Sequence, residues 1–182
     1  MKNSKLSIQD IVTIGLCTAV IAIMAQISIP MPMGVPMTMQ TFAITLTGII
    51  LGAKRGALAT FIYVLLGSVG VPVFAGFSGG FQALIGPTGG FLWSFPLMAF
   101  FIGLGAEKYR SSKPQFIFWL VFGTVINYVI GVIVFCLVTQ SPVVTGITAC
   151  VLPFIPTAVI KAVLASVLGL SMKERLVQTA WN

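Results

Sequence analysis

The stretch VLPFIPTAVIKAVLASVLGLS, residues 151–171, carries one charged residue, Lys161, inside an otherwise apolar run. A run of this length is sufficient for one helical crossing of a bilayer, which needs about 20 residues. A lysine within hydrocarbon costs roughly 2.5 to 3.5 kcal/mol, so it normally meets a partner, a ligand or a water-filled cavity. Snorkelling is the alternative, but the hydrophilic end of the run is about ten residues away, roughly 15 Å at helical rise. We therefore predict that Lys161 belongs to a binding site.

The rest of the chain is similarly apolar. Its 182 residues are 58% hydrophobic and 7% charged, with a mean hydropathy of +1.09, whereas soluble domains are about 25% charged. We predict an all-α integral membrane protein, with residues 1–182 forming a single membrane domain. The apolar stretches predict a six-transmembrane-helix bundle with spans at about 9–29, 38–52, 55–70, 88–106, 115–139 and 151–171. The first stretch is too long for a cleavable signal and is not followed by an A-x-A site.

The positive charges predict the orientation of this bundle. With six crossings, all cationic residues except Lys161 lie on one side of the membrane. They are Lys2, Lys5, Lys54, Arg55, Lys108, Arg110, Lys113, Lys173 and Arg175. The acidic residues Asp10, Glu107 and Glu174 fall on the same side. Because positive loops stay in the cytoplasm, we predict that both termini are cytoplasmic.

The outer loops are uncharged but rich in glycine and proline. They comprise Ile29–Pro36, Gly70–Gly80 and Gly86–Gly90. We expect these segments to be non-helical, so their backbone groups need protein or water as partners, which lipid does not provide. We predict that they fold over an outward-facing pocket. The alternative is that they are only tight connections between helices.

Polar side chains within the spans are few, which makes Gln40, Asn127 and Lys161 conspicuous. An amide both donates and accepts hydrogen bonds, whereas a lysine only donates and suits a carboxylate. Together they predict a ligand with one acidic end and one amide-like end. For Asn127, an interhelical hydrogen bond is an equally good interpretation.

Small residues four positions apart on the first helix favour close helix packing. These pairs are Gly15 with Ala19 and Thr18 with Ala22. Such spacing allows close approach of two membrane helices. It fits packing within the bundle and also a docking face for a second membrane protein, and the spacing alone does not separate the two.

The composition excludes several functional classes. The chain has no His and no C-x-x-C, and its cysteines, Cys17, Cys136 and Cys150, lack metal-ligand spacing, so we predict no metal site, no cofactor and no enzyme activity. The few charges form no basic stripe, which excludes nucleic acid as a partner. A proton-coupled carrier would need a membrane carboxylate, and a P-loop is absent from the sequence. Energy for any active transport must come from another protein.

A series of short motifs runs from the first outer loop to the start of the fourth predicted span. The motifs are Pro32-Met-Gly-Val-Pro36 followed by Thr38 and Gln40, Leu51-Gly52 with Gly56, Tyr63 and Gly67, Val71-Pro-Val-Phe74, Gly79-Gly80 and Gly86-Pro-Thr-Gly-Gly90. This series resembles the BioY family, the biotin-binding S components of energy-coupling factor (ECF) transporters. The resemblance implies a multi-pass protein of a prokaryotic plasma membrane that captures biotin. The implied partners are the lipid bilayer, a transmembrane coupling protein facing the small residues of the first helix, and two ABC ATPases.

The resemblance also implies a set of biotin contacts under the first and third loops. Lys161 would pair with the valerate carboxylate, and Gln40, Asn127 and Tyr128 are candidates for the ureido ring. The implied apolar wall consists of Phe74, Phe81, Phe91 and Trp93. Close backbone approach is implied at Gly79, Gly80, Gly86, Thr88, Gly89 and Gly90.

Two residues depart from the family pattern. Ala158 stands where the family has an Asp, three residues before Lys161, so that no ion pair forms within the helix. Phe91 has no hydroxyl group and stands where the family commonly has an aromatic residue that carries one. We expect Lys161 to depend more strongly on the ligand carboxylate as a result.

Two other functions remain open from the sequence. One is an S component for another vitamin, such as thiamin, riboflavin or folate. The other is a membrane assembly subunit without a transport function, whose outer loops hold a protein partner.

Overall fold

The computed structural model describes residues 6–31, 34–109 and 112–179. Two short strands, β1 (Ser28–Ile29) and β2 (Met37–Thr38), form an antiparallel pair. The remaining structure is helical: α1 (Ile8–Ala25), α2 (Gln40–Ser68), α3 (Phe81–Ile85), α4 (Gly89–Lys108), α5 (Lys113–Thr139), α6 (Val143–Cys150) and α7 (Ile155–Thr179). Single turns of 3-10 helix occur at Ala75–Phe77 and Leu152–Phe154.

Five helical segments in the described ranges are long and apolar enough to cross a membrane. They are Ile8–Ala25, Gln40–Ser68, Gly89–Lys108, Lys113–Thr139 and Val143–Arg175. The protein is therefore a multi-pass helical membrane protein. Of the residues used above for orientation and resemblance, Lys2, Lys5, Pro32, Met33 and Arg110 lie outside the described residues.

The segment Gln40–Ser68 contains a chain reversal. Gly52 has non-helical torsion angles, φ 78° and ψ −177°. A Cβ atom on Gly56 would lie 3.0 Å from the Cα of Gly48, although eight residues of straight helix extend about 12 Å. The side chain of Gln40 likewise reaches Tyr63. Residues 40–51 and 53–68 are thus two arms that pack antiparallel, and the reversal falls at Gly52, the last residue of the predicted span 38–52.

The charged segments gather at one end of the bundle, which we call the inner end. Asp10 forms the N-terminal capping box of α1 with Ser7 and also pairs with Arg55 at 3.0 Å. The carboxylate Oε1 of Glu107 accepts the Ala53 backbone N–H at 2.8 Å and so satisfies the start of the second arm. Lys173 donates to the Ala106 carbonyl at 3.1 Å. The ends of α1, α4 and α7 therefore meet the turn of α2.

Helix α4 lies at the centre of the bundle. It packs extensively against both α2 and α5, while α1 and α7 each pack against α2. Glycines permit this contact, because a Cβ on Gly48 would lie 2.7 Å from the Ala99 carbonyl oxygen and one on Gly103 would lie 2.4 Å from the Ala53 nitrogen. This close packing fixes α2, α4 and α5, three of the helices that surround the outer cavity.

The outer end is made of the β1–β2 pair, the segment 70–80 and the short helices α3 and α6. At the end of α1, Gln26 accepts the Phe77 N–H at 2.8 Å and donates to the Val73 carbonyl at 3.3 Å. Phe74 is buried with its ring against Gly67. Segment 70–80 is thereby tied to both α1 and α2.

The outer segments are more helical than the sequence predicted. The chain between Gly80 and Gly86 forms α3, which the sequence did not predict, while α4 begins at Gly89, close to the predicted start of the span 88–106. A glycine is suited to a helix position where a neighbouring segment comes so close that a Cβ atom would not fit. That is the case at Gly90, which lies against the Ile130 carbonyl.

Candidate functional site

A cavity of about 280 Å³ lies at the outer end, between α2, α4, α5 and α7. Segment 70–80 and the residues just before α2 cover it. Eight of the predicted site residues line it: Gln40, Phe74, Thr88, Phe91, Asn127, Tyr128, Ala158 and Lys161. Three separate helices, α2, α5 and α7, therefore bring the conspicuous polar residues Gln40, Asn127 and Lys161 to one place.

Lys161 enters the cavity from α7. Its Nζ donates a hydrogen bond of 2.6 Å to the backbone carbonyl of Thr38, the last residue of β2. In the described part of the chain, no acidic side chain lines the cavity. A carbonyl partner leaves the positive charge uncompensated, so the site favours an anionic group on its ligand.

Asn127 reaches the cavity from α5 and is only 2% exposed. Its Nδ2 donates to the Phe91 carbonyl at 3.2 Å and to the Ser94 hydroxyl at 2.8 Å, both on α4. These bonds use both amide hydrogens and fix the orientation of the side chain. The interhelical hydrogen bond thus exists, and it leaves Oδ1 as an acceptor for an N–H group of a ligand.

Gln40 has protein partners on both sides of its amide. Its Oε1 accepts from the Thr38 hydroxyl at 2.8 Å, and its Nε2 donates to the Tyr63 hydroxyl. Tyr63 in turn donates to the Val73 carbonyl at 3.1 Å. Gln40 therefore lines the cavity while joining the two arms of α2 to segment 70–80.

Aromatic rings form the apolar wall of the cavity. Phe91 and Tyr128 meet edge to face with ring centroids 6.4 Å apart. The Phe91 ring lies against Gly131, where a Cβ would be 2.3 Å from a ring carbon. Phe74 contacts Tyr63 in the same manner at 5.6 Å. The ring positions depend on glycines of neighbouring helices, and such edge-to-face pairs add to the energy of burial.

The other predicted site residues do not line this cavity. Phe81 and Trp93 are both exposed, and the Trp93 indole N–H donates to the Leu84 carbonyl at 3.0 Å. The remaining predicted site residues outside the cavity lining are five glycines, namely Gly79, Gly80, Gly86, Gly89 and Gly90.

These glycines serve contacts within the protein. A Cβ on Gly79 would lie 2.5 Å from the Val71 carbonyl oxygen, and one on Gly89 would lie 2.0 Å from the Leu84 carbonyl oxygen. Gly80 has a positive φ of 98° and donates its N–H to Gly67. At Gly79 and Gly89 the backbone is thus close to another backbone segment, and the implied approach of these glycines to a ligand stays a prediction.

The cavity also contains residues that sequence reasoning missed. Thr157 lies one helical turn before Lys161, so helical spacing could have identified it. The Thr38 carbonyl is a backbone group and gives no sequence signal. Further lining residues that were missed are Val35, Thr41, Ser78, Leu92, Phe95, Cys150 and Phe154.

The small residues of α1 face two directions. Thr18 is buried, and its hydroxyl donates to the Ala59 carbonyl at 3.0 Å, while Ala22 packs against the core. Gly15 and Ala19 are exposed, and a Cβ on Gly15 would meet nothing within 4 Å. One pair packs inside the bundle and the other is on its surface.

The fold and the cavity together define a small multi-pass helical membrane protein with a polar-lined cavity at one end. The BioY family model matches residues 1–178. The chain belongs to the BioY family.

Several relatives match most of the chain. It is 41% identical over 169 residues to the "Biotin transporter BioY" of Thermotoga maritima, covering 91% of this chain and 96% of that protein. It is 36% identical over 181 residues to "Biotin transporter BioY2" of Lactococcus lactis subsp. cremoris, covering 98% and 97%. A crystal structure of the S-component for biotin from an ECF-type ABC transporter superposes with a TM-score of 0.84 at 28% identity, covering 96% of this chain and 95% of that one.

Proposed function

We propose that this chain is the high-affinity biotin-binding subunit of an ECF-type vitamin importer. The observation that carries the proposal is the placement of Lys161 and Asn127 in one cavity that has no acidic lining residue among those described. Pockets for drug-sized ligands start at about 300 Å³, so a cavity of about 280 Å³ suits a small compact ligand.

In this proposal, biotin lies with its carboxylate on Lys161 and its ureido ring towards Asn127. The carboxylate supplies the negative charge that the cavity lacks, and Oδ1 of Asn127 accepts a ureido N–H. Phe74, Phe91 and Tyr128 surround the apolar remainder. Nanomolar affinity requires about 12 kcal/mol. For roughly 16 heavy atoms this is under 1 kcal/mol per atom, inside the ceiling of about 1.5 for small ligands.

The proposed topology has six crossings with both termini in the cytoplasm. The crossings are α1, the two arms of α2, α4, α5 and the continuous α6–α7 segment. The reversal at Gly52 and the contacts among the inner-end charges support an even number of crossings. The positive-inside rule makes the inner end cytoplasmic and the cavity external, in the plasma membrane of a prokaryote.

The proposed partners are a transmembrane coupling protein and two ABC ATPases, because the chain has no nucleotide-binding motif of its own. The exposed pair Gly15 and Ala19 offers the coupling protein a place for close helix contact. Thr18 and Ala22, which face the interior, support that surface from behind.

The test is calorimetric titration of biotin into protein that was produced without biotin and purified in detergent. Lys161→Ala is compared with the parent, and Lys173→Ala serves as the control because Lys173 lies at the inner end. We expect nanomolar binding by the parent and the control and its collapse in Lys161→Ala. Persistent binding in Lys161→Ala would keep biotin as the ligand but overturn the role of the lysine.

The other functions are outcomes of the same experiment. Folded parent protein that fails to bind biotin is titrated with thiamin, riboflavin and folate. Binding of one of these would identify an S component for a different vitamin. Absence of binding throughout, without co-purification of ATPases, would favour a membrane assembly subunit.

A further inference from the structure

A second and larger space lies on the membrane-facing side of the bundle. It is a groove of about 650 Å³ between α5 on one side and α6 and α7 on the other. In the described chain its lining includes no charged side chain, and the hydroxyl of Thr124 is already bonded to the Leu120 carbonyl at 2.8 Å. The groove exists because α5 and α7, as described, scarcely contact each other and pack on different neighbours.

The groove is separated from the cavity by a thin wall. Tyr128 and Ala158 line both spaces. Between them is a void of about 20 Å³, lined by Thr124 and Ala162 towards the groove and by Lys161 towards the cavity. A void of that size holds about one water molecule. Among the described residues, Tyr128 and Ala158 are the side chains that the groove and the cavity of Lys161 share.

The position of the groove indicates what covers it. It follows α5 over residues 120–133, about 20 Å at helical rise, inside a hydrocarbon core about 30 Å thick. The edges of the groove continue into the exposed apolar surface of α5 and α7. A smaller fraction of these two membrane segments is buried than of α2 or α4. A long groove at this depth, lined by no charged side chain among the described residues and by apolar side chains apart from Thr124 and Tyr128, is complementary to an acyl chain.

We propose that this groove binds one acyl chain of a membrane phospholipid, which forms the outer wall of the cavity behind Tyr128 and Ala158. The chain supplies the packing that α5 and α7 do not give each other. Only the identity of the cavity as the biotin site rests on the proposed function, whereas lipid binding by the groove is independent of it.

Matched tryptophan variants test the proposal. Val129→Trp with Val159→Trp fills the groove from both sides. The control is Val138→Trp with Val163→Trp, on the same two helices but outside the groove. The four valines have similar exposure, 51% and 58% in the first pair and 43% and 56% in the second. The two double variants therefore differ mainly in whether the new rings occupy the groove.

Each protein is reconstituted in nanodiscs of a single palmitoyl-oleoyl phosphatidylglycerol, released into detergent and analysed by native mass spectrometry. Circular dichroism verifies the helix content. We expect one retained phospholipid on the parent and the control and its loss from the groove-filled variant. If that variant does not fold, Ala162→Leu replaces it, with the same loss expected.

Three results would overturn the proposal. They are a parent that retains no phospholipid, equal retention in the groove-filled and control variants, and a retained mass that corresponds to a free fatty acid. Biotin titration of the same samples separates this proposal from the previous one. Biotin binding without a retained phospholipid would overturn only the proposal that the groove binds a lipid. Phospholipid retention without biotin binding would overturn only the proposal that the cavity binds biotin.

Discussion

The two ends of the bundle hold their polar groups in different ways. At the inner end, charges meet opposite charges or capping groups, as Asp10 meets Arg55 and Glu107 meets the Ala53 N–H. At the outer end, the described partner of the cationic Lys161 is a backbone carbonyl, and no acidic side chain among the described residues lines its cavity. A satisfied charge contributes to structure, whereas an uncompensated one is available for a ligand. The comparison places stability at the inner end and, in the proposed function, binding at the outer end.

The largest expected effect comes from Lys161→Met, which keeps most of the side-chain volume but removes the charge. The carboxylate of biotin would be buried without a cation, at a cost of about 3 to 5 kcal/mol. We expect biotin affinity to fall several hundredfold in calorimetric titration. Lys173→Met at the inner end should leave it unchanged, and equal losses in both would remove the distinction between the two ends.

Gly52→Ala tests the inner end through stability. Its φ of 78° with ψ −177° lies in a region almost exclusive to glycine, and a Cβ would also lie 2.6 Å from Oε1 of Glu107. We expect a loss of about 1 to 3 kcal/mol, seen as a lower midpoint of thermal unfolding. The control is Gly70→Ala, which has a φ of 104° but nothing within 4 Å of its Cβ. A midpoint that falls more in Gly70→Ala would contradict the importance of the Glu107 contact.

Asn127→Ala should weaken biotin binding about tenfold, which is about 1.4 kcal/mol. The loss is that of one acceptor hydrogen bond, typically about 0.5 to 1.5 kcal/mol. Calorimetry measures it, with Ser94→Ala as the comparison, because that variant removes a partner of Nδ2 but keeps Oδ1. Affinity that falls further in Ser94→Ala than in Asn127→Ala would argue against a direct ligand contact.

The smallest expected effect belongs to Arg55→Gln. The Arg55 side chain is half exposed in its pair with Asp10, and such pairs contribute less than about 1 kcal/mol and are screened by salt. We expect a small fall in the unfolding midpoint that disappears at high ionic strength, with biotin affinity unchanged. A change in affinity would show that the inner end communicates with the cavity.

The sequence was most informative at polar residues that lie within apolar runs. Lys161 and Asn127 stand out because a membrane helix tolerates few such residues, and the structure brings both to one cavity. The break near Gly52 was also visible, since Lys54 and Arg55 interrupt an apolar run. These features follow from the cost of placing charge and amide groups in hydrocarbon.

The direction of apolar side chains could not be predicted in the same way. A helix that faces lipid is hydrophobic on all sides, so periodicity does not separate Phe91, in the cavity wall, from Trp93, on the surface. The role of the glycines could not be predicted either. Gly89 allows close contact between backbones, and the sequence pattern is the same as for close contact with a ligand.

The length of the first arm of α2 has a consequence for the journey of the ligand. From Gln40 at the cavity to Gly52 at the inner turn, the arm extends about 18 Å. The hydrocarbon core is about 30 Å thick. A ligand beside Gln40 would therefore lie about 12 Å into the core, roughly two-fifths of its thickness, and transport by the proposed partners would have to cover the remaining 18 Å or so.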